Sequence, residues 1–334
     1  MTVVFDADVL GRRRTGDETH VANLLRELGR LASDVRIVAL TRRPDLVPPG
    51  IEPYRLDARL QELRMAATVP RVLRRLQPRL VHFQHVLPPF LRVPAVVTVH
   101  DLSFERDPSV MSRSDRLVFR TLVPRAVAKA RRVVTVSERT RRDLEALYGV
   151  PAEKVVVIRN GVDPRFSPGG VPGDYLLYVG AVQARKDPLA ALDAARAAGL
   201  RLVVVGPAKE PELAARLRAE GADVRGYVDD DELLRLYREA AALVFPSRYE
   251  GFGLPVLEAM ACGTPVVATP DPAVQEVAGD AAVYAQRDEL GAAVRTALAE
   301  RSHLAAAGLE RARAFSWEEA ARRTLALYEE VLAA

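Results

Sequence analysis

The chain has 334 residues, 48 Lys and Arg against 44 Asp and Glu, a formal net charge of +4 and 49% hydrophobic residues. That composition excludes disorder, collagen and coiled coil as the main state, and the length suits two domains of about 100–200 residues each. One cysteine, Cys262, excludes a disulfide framework and a cysteine-based zinc site, and no apolar run approaches the roughly 18–20 residues of a membrane span.

The first residues, MTVVFDADVLGRRRTG, place their charges after a very short apolar run, the wrong order for a secretory signal. The cytoplasm is therefore the expected compartment. Strand-like runs follow in chain order: TVVFDA (2–7), VRIVAL (35–40), LVHFQ (80–84), AVVTVH (95–100), VVTVS (133–137) and VVVI (155–158). The run DPRFSPGGVPGD (163–174) concentrates Pro and Gly and predicts the seam between two halves. The second half continues with YLLYVG (175–180), LRLVVVG (200–206), DVRGYV (223–228), ALVFPS (242–247), PVVAT (265–269) and AAVY (281–284). Amphipathic segments such as HVANLLRELGRL, SERTRRDLEALYG and DELLRLYREAA lie between them, and a last helix is predicted over about 317–333. Continuous apolar strands separated by helices predict α/β architecture with parallel sheets covered on both faces.

Only four of the basic residues are lysines: Lys129, Lys154, Lys186 and Lys209. Basic charge is scattered among acids, so the pI of about 9.3 does not point to nucleic acid. One basic zone, from Arg113 to Arg142, can attract phosphates or an anionic membrane surface, although a solvated face is the simpler account.

Parallel sheets bind ligands beyond the carboxyl ends of their strands, so the loops after strands carry the chemistry. There is no P-loop and no G-x-S-x-G elbow. Val256 stands where the third glycine of a dinucleotide fingerprint belongs. His82 and His85 invite a metal reading, but no cysteine or carboxylate cluster adjoins them in sequence, so no metal site is expected.

The densest signal is SRYEGFGLPVLEAMACGTPVVAT, residues 247–269. A strand ends at Pro246, a glycine-rich loop follows, and a short helix begins near Pro255 and stops at Gly263. Unpaired amides of Phe252, Gly253 and Leu254 at that helix start make an anion site suited to phosphate. Glu250 lies in the loop and Glu258 within the helix, where carboxylates can accept hydrogen bonds from sugar or ribose hydroxyls.

With these residues the chain resembles the retaining glycosyltransferases of family 4 (group 1), most closely the bacterial mannosyltransferases of surface polysaccharide assembly. VGAVQARKDP (179–188) and GYVDDDELLRLYREAAALVFPSRYEGFGLPVLEAMACGTPVV (226–267) carry the resemblance in the second half. VTVHDLSF (97–104), TVSERTRRDL (135–144) and VIRNGVDPRF (157–166) carry it in the first. It implies a GT-B fold: two Rossmann-like, doubly wound parallel-sheet domains facing across a cleft. They are an acceptor-side domain (1–165) and a nucleotide-sugar domain (166–316), with a C-terminal helix (317–334) crossing back to the first.

The resemblance also implies roles. Glu250 binds donor-sugar hydroxyls and Glu258 the ribose. Gly180, Gly251, Phe252, Gly253 and Leu254 bring backbone to sugar and phosphate, while Arg185 and Lys186 hold the diphosphate. Gly226, Tyr227, Val228 and Leu233 read the base, and Ser247 borders the pocket. His100 faces the donor sugar beside Asp101, and Gly16, in the loop after the first strand, brings backbone to the donor phosphates. The chain departs from the family at Glu18, where a second glycine is usual, at Ala181, where an Arg is common, and at Asp187, where Asn is often seen.

The implied reaction moves a hexose, with mannose the first expectation, from a GDP- or UDP-linked donor to a saccharide or lipid-linked acceptor, with retention of configuration. No covalent nucleophile stands out, and no metal or other cofactor is called for. Two other readings share these motifs: a degenerate nucleotide-sugar-binding protein and a GT-B-like sugar-nucleotide epimerase.

Overall fold

The computed structural model describes residues 1–12, 15–32, 34–57, 64–107 and 111–333. They form two compact units, Met1–Gly161 with Trp317–Ala334, and Val162–Ser316. In the first unit the strands are β1 Thr2–Asp6, β2 Arg36–Thr41, β3 Glu52–Arg55, β4 Leu80–Gln84, β5 Ala95–Val99, β6 Arg132–Thr135 and β7 Val155–Val157. All run parallel, in the order β3-β2-β1-β4-β5-β6-β7. β1 is an interior strand, with Val4 opposite Val38 on one side and Val81 on the other. These valines are fully buried, as a strand covered on both faces requires.

The helices of this unit are α1 Thr15–Leu31, α2 Val69–Leu76, the single turn α3 Ser103–Arg106, α4 Arg113–Lys129 and α5 Glu138–Tyr148. Local chemistry sets their ends. The side chains of Ser112 and Ser137 cap α4 and α5 by accepting the amides of Asp115 and Thr140, and α5 stops at a left-handed Gly149. The sequence pattern did not anticipate β3. Its residues, EPYR, are mostly exposed at the sheet edge, where an apolar run is not needed and Pro is tolerated.

The second unit has β8 Tyr175–Val179, β9 Arg201–Val205, β10 Asp223–Gly226, β11 Ala242–Phe245, β12 Val266–Ala268 and β13 Val283–Tyr284. They are parallel in the order β10-β9-β8-β11-β12-β13. Its helices are α6 Pro188–Ala197, α7 Pro211–Ala219, α8 Asp230–Glu239, α9 Leu254–Ala261, α10 Pro272–Ala278, α11 Leu290–Ala299 and α12 Arg301–Ala312. Counted within each unit, both sheets begin 3-2-1-4-5-6, the doubly wound nucleotide-binding order. The order reverses between β1 and β4 in one sheet and between β8 and β11 in the other, and those crevices are where ligands bind.

The last helix, α13 Trp317–Ala333, returns to the first unit and packs on α1. The segment 163–174 packs on the second unit. Arg238 Nε donates to Ser167 O at 2.7 Å, and the Gly173 amide donates to Glu239 O at 2.6 Å. The division between the units falls just before it, at Gly161 and Val162. Among the described residues no helix is long and apolar enough to cross a membrane.

Candidate active site

The crevice of the second sheet is built by the loops after β8 and β11. Gly180 leaves β8 with its amide on Val205 O at 2.9 Å. Gly206 approaches so closely that a Cβ there would stand 2.1 Å from Gly180 O, at a φ of +137°, so only glycine fits. The loop then turns through Ala184–Lys186, which presents Arg185 and Lys186. Lys186 Nζ donates to Glu250 Oε1 at 2.9 Å, and Arg185 Nη1 lies 3.9 Å from the same oxygen while donating to Tyr249 O. Arg185 and Glu250 are both buried. Burial alone would raise the Glu250 carboxyl, but Lys186, Arg185 and the Ser247 hydroxyl together hold it below its ordinary value. Glu250 is therefore a buried carboxylate held between two cations, and Arg185 Nε is a buried donor with no acceptor among the described residues.

Beyond Glu250 the chain enters α9 through Gly253, whose φ of +105° is a left-handed value only glycine adopts freely. The amides of Gly251, Phe252, Gly253 and Leu254 find no acceptor among the described residues. Phe252 is anchored edge-on to Phe315 at 5.9 Å, and the Glu250 amide donates to Asp271 at 3.3 Å. Ser247 is buried, its hydroxyl donating to Tyr249 O at 3.2 Å. Partnerless amides at the positive end of a helix, beside two cations, make a preformed anion cradle.

Glu258 projects from α9, half-buried, and accepts from the Tyr237 hydroxyl at 2.7 Å. Burial pushes it up to about 7, against the pull of Tyr237 and Arg165, while Asp163 and Asp230 add to the rise. Gly226 ends β10, its carbonyl accepting the Gly206 amide at 2.7 Å. Tyr227, 55% exposed, and half-buried Val228 lead to α8, where Leu233 is also half-buried. Of the departures from the family pattern, Asp187 turns away from the cradle. It caps α6 and accepts from Arg287 Nε at 2.9 Å. Ala181 is buried, with its carbonyl taken by Tyr178.

In the first unit, His100 follows β5, is buried, and lies beside Gln84 with Nε2 2.9 Å from Oε1. The amide oxygen only accepts, so the proton sits on Nε2 and Nδ1 keeps its lone pair. Burial, then His20, His85 and His82, hold His100 well below its usual pKa, so the ring is neutral. Asp101 accepts the Ser103 amide at 2.9 Å and shapes the turn into α3. Gly16 is not in the loop after β1, as the sequence suggested, but is the second residue of α1. The acids Asp17 and Glu18 suit the first turn of a helix, which therefore begins one residue earlier. Glu18 accepts the Gly11 amide at 2.6 Å and so steadies the loop that a second glycine would have loosened.

Sequence spacing also concealed a cluster. Asp17 and His100 come up to His85, with one candidate ligand atom from each lying within 4.8 Å of the others. His20 lies edge-on to His100 at 4.6 Å and donates to Asn160. The only available hint was that each of these residues follows a strand of one sheet. His82, by contrast, is structural, bonded to Tyr328 and Thr98 at 2.6 and 2.7 Å.

Two Rossmann-like parallel-sheet units, each with a loop-built crevice at its order reversal, define the GT-B class of fold. The chain belongs to the glycosyltransferases: the family described as Glycosyltransferase Family 4 matches residues 14–166, and Glycosyl transferases group 1 matches residues 173–300. It is similar to the O-antigen chain mannosyltransferase B of Escherichia coli, 29% identical over 88% of this chain and 83% of that protein. It is also similar to the D-inositol 3-phosphate glycosyltransferase of Geodermatophilus obscurus, 33% identical over 71% of this chain but spanning only 61% of that relative. Among solved structures, that of Anabaena Alr3699/HepE in complex with UDP and glucose aligns with a TM-score of 0.77 at 16% identity, over 99% of this chain and 100% of that one.

Proposed function

We propose that the chain transfers a hexose, with retention of configuration, from a nucleoside-diphosphate sugar to a hydroxyl of a saccharide or lipid-linked acceptor. The observation that carries this reading is the cradle of Arg185, Lys186 and the four partnerless amides of residues 251–254 at the order reversal of the second sheet. A diphosphate placed there gains charge as the glycosidic bond breaks, and the cradle stabilises it without reorganising. Arg185 Nε, buried and without an acceptor, supplies a further donor for that oxyanion. No side chain need form a covalent intermediate. The departing phosphate oxygen takes the acceptor proton, and the protein contributes position and charge.

In this reading Glu250 binds sugar hydroxyls and orders the two cations, Glu258 takes the ribose, and residues 226–228 with Leu233 flank the base. His100, a neutral ring with a lone pair on Nδ1, accepts from a donor-sugar hydroxyl. Val162–Ser316 is the donor unit and Met1–Gly161 the acceptor side. The E. coli relative, an O-antigen chain mannosyltransferase, favours mannose, so GDP-mannose is the first donor to try. The UDP and glucose of the Anabaena structure make UDP-glucose the next donor to try. No metal takes part in this mechanism.

The first unit also suits work at the inner surface of a membrane. Much of the basic zone is neutralised within the fold: Arg120 pairs with Glu105, Arg139 with Asp143, and Arg141 with Glu138 and Glu145. On α4, however, Leu117, Val118 and Leu122 are 69%, 48% and 40% exposed. Arg113, Arg125 and Lys129 on the same helix have no ion pair among the described residues. Exposed apolar groups ringed by free cations fit an anionic lipid surface.

Calorimetric titration with GDP-mannose, UDP-glucose and an ADP-sugar tests the donor reading, because a ligand for the folded state also raises its apparent stability. One of them binding, and being consumed only when acceptor is present, is the expected result. Epimer formation from donor alone, or binding with no transfer across an acceptor panel, overturns it.

A further inference from the structure

Four of the five histidines, His20, His82, His85 and His100, gather in the first unit. The hydrogen bonds of His82 account for it as a structural residue, but those of the other three do not. His20 Nε2 and His85 Nδ1 are buried and have no hydrogen-bond partner among the described residues. His85 also holds a left-handed backbone, φ +58°, which a non-glycine residue keeps only where its surroundings impose it. Strained backbone and orphaned nitrogens in one place call for a ligand.

We propose that Asp17, His85 and His100 bind a transition-metal dication of the zinc class. The three residues follow β1, β4 and β5, the strands on either side of the order reversal, so they meet where this sheet presents a ligand crevice. Two imidazole nitrogens and one carboxylate oxygen form a borderline donor set. Such a set suits Zn²⁺, Co²⁺ or Ni²⁺ and not the all-oxygen preference of Mg²⁺ or Ca²⁺. His100 already has the support that metal-bound histidines use. Its Nε2–H donates to Gln84 Oε1, which fixes the ring and leaves Nδ1 free to coordinate.

The spacing is close to what an ion needs. Bonds of about 2.0–2.1 Å to a tetrahedral ion put ligand atoms about 3.4 Å apart, and the three atoms now lie within 4.8 Å of one another. Asp17 and His85 are half-buried, and His100 is held by Gln84. Three protein ligands leave a fourth position for water. Because the proposed function gives His100 to the donor sugar, the ion and the donor exclude one another, and the ion is an inhibitor. That exclusion rests on the donor reading, whereas binding of the metal does not.

The test uses the full chain, stripped with chelator and titrated with Zn²⁺ by calorimetry and with Co²⁺ by visible absorption. The expected result is one ion per chain, a tetrahedral Co²⁺ spectrum and no saturable heat with Mg²⁺. Asp17→Ala and His85→Asn should each weaken Zn²⁺ binding by at least about tenfold. Asn tolerates the left-handed backbone, so the second variant should fold. His303→Ala, at an exposed site in the other unit, should bind as the parent does. No saturable Zn²⁺ binding, or parental affinity in both Asp17→Ala and His85→Asn, overturns the site. Repeating the titration with GDP-mannose or UDP-glucose separates the two readings. Zn²⁺ bound together with donor overturns the exclusion, and failure of every donor to bind sinks the transferase reading without touching the metal site.

Discussion

Lys186 and Glu250 stand 64 positions apart and meet at 2.9 Å, tying the loop after β8 to the loop after β11. Both side chains are largely buried, so the pair is costly to break from one side. Lys186→Met leaves a buried carboxylate with only Arg185 nearby, a change worth up to about 3–5 kcal/mol. Adding Glu250→Gln removes that stranded charge, so the double variant should recover much of the lost stability. Activity should not recover, because in the proposed function each residue also acts on the donor. Transfer should fall at least about tenfold in either single variant, with 10²–10³ typical for a lost oxyanion contact. A double-mutant cycle in urea, run beside turnover, checks both halves. Near-normal turnover in either single variant would sink the site assignment.

Glu258 gives the second unit an inverse dependence on pH. Its folded value, about 7, lies above the ordinary 4.5, so the folded state holds the proton more tightly than the unfolded state. The associated stability is fully present below about pH 4.5 and is lost as pH rises through 7, on the order of 3 kcal/mol. Glu258→Gln should therefore raise the melting temperature at pH 8 and change it little at pH 4.5. If the ionised carboxylate takes the ribose, donor binding near pH 7 should release a proton. Calorimetry in buffers of different ionisation enthalpy reads that proton directly, and a binding enthalpy independent of buffer would falsify the ribose assignment.

Much of this site could be read locally. The stretch 247–269 carries its own strand end, its left-handed glycine and its helix start, so backbone rules placed the free amides. Twelve of the thirteen strands among the described residues fall in runs read from the sequence, and β3 has no such run because an exposed edge needs none. What could not be read were pairings across long separations. Asp187 finds Arg287 one hundred positions away, and Tyr237 reaches Glu258 from another helix. The Asp17–His85–His100 group assembles from the first turn of α1 and the exits of β4 and β5, and no sequence window contains all three. Gly16 was misplaced because acidic first-turn residues moved the helix start ahead of it.

Gly206 offers a purely steric test of the donor loop. A methyl group there meets Gly180 O at 2.1 Å, backbone against which no side chain can yield. Gly206→Ala should cost at least the 1–3 kcal/mol or so typical of overpacking, and more because φ is +137°. The displaced Gly180 carries the loop of Arg185 and Lys186, so donor affinity should fall together with the melting temperature. Gly199→Ala, left-handed but with open space around its Cβ position, is the control: it should lower stability through backbone strain and leave donor affinity alone. Equal losses of affinity in the two variants would mean that the Gly180–Gly206 contact does not position the loop.

The buried histidines should make the first unit acid-sensitive. Burial lowers His82 to about 3 and, despite the Asn160 bond, His20 to about 4. Unfolded histidine protonates near its ordinary 6.5, so below that pH the unfolded chain binds more protons than the folded one. The stabilising contribution is full above pH 6.5 and is lost as pH falls toward 4, on the order of a few kcal/mol for each residue. The single tryptophan, Trp317, belongs to this unit and lies edge-on to His20 at 5.8 Å, so its fluorescence reports the first unit alone. Its urea midpoint should drop between pH 6.5 and 5, at pH values where the Glu258 term favours the second unit. His20→Gln should flatten that drop, since glutamine carries no proton across this range. An unchanged slope in His20→Gln would show that His20 does not share in the acid response of the unit.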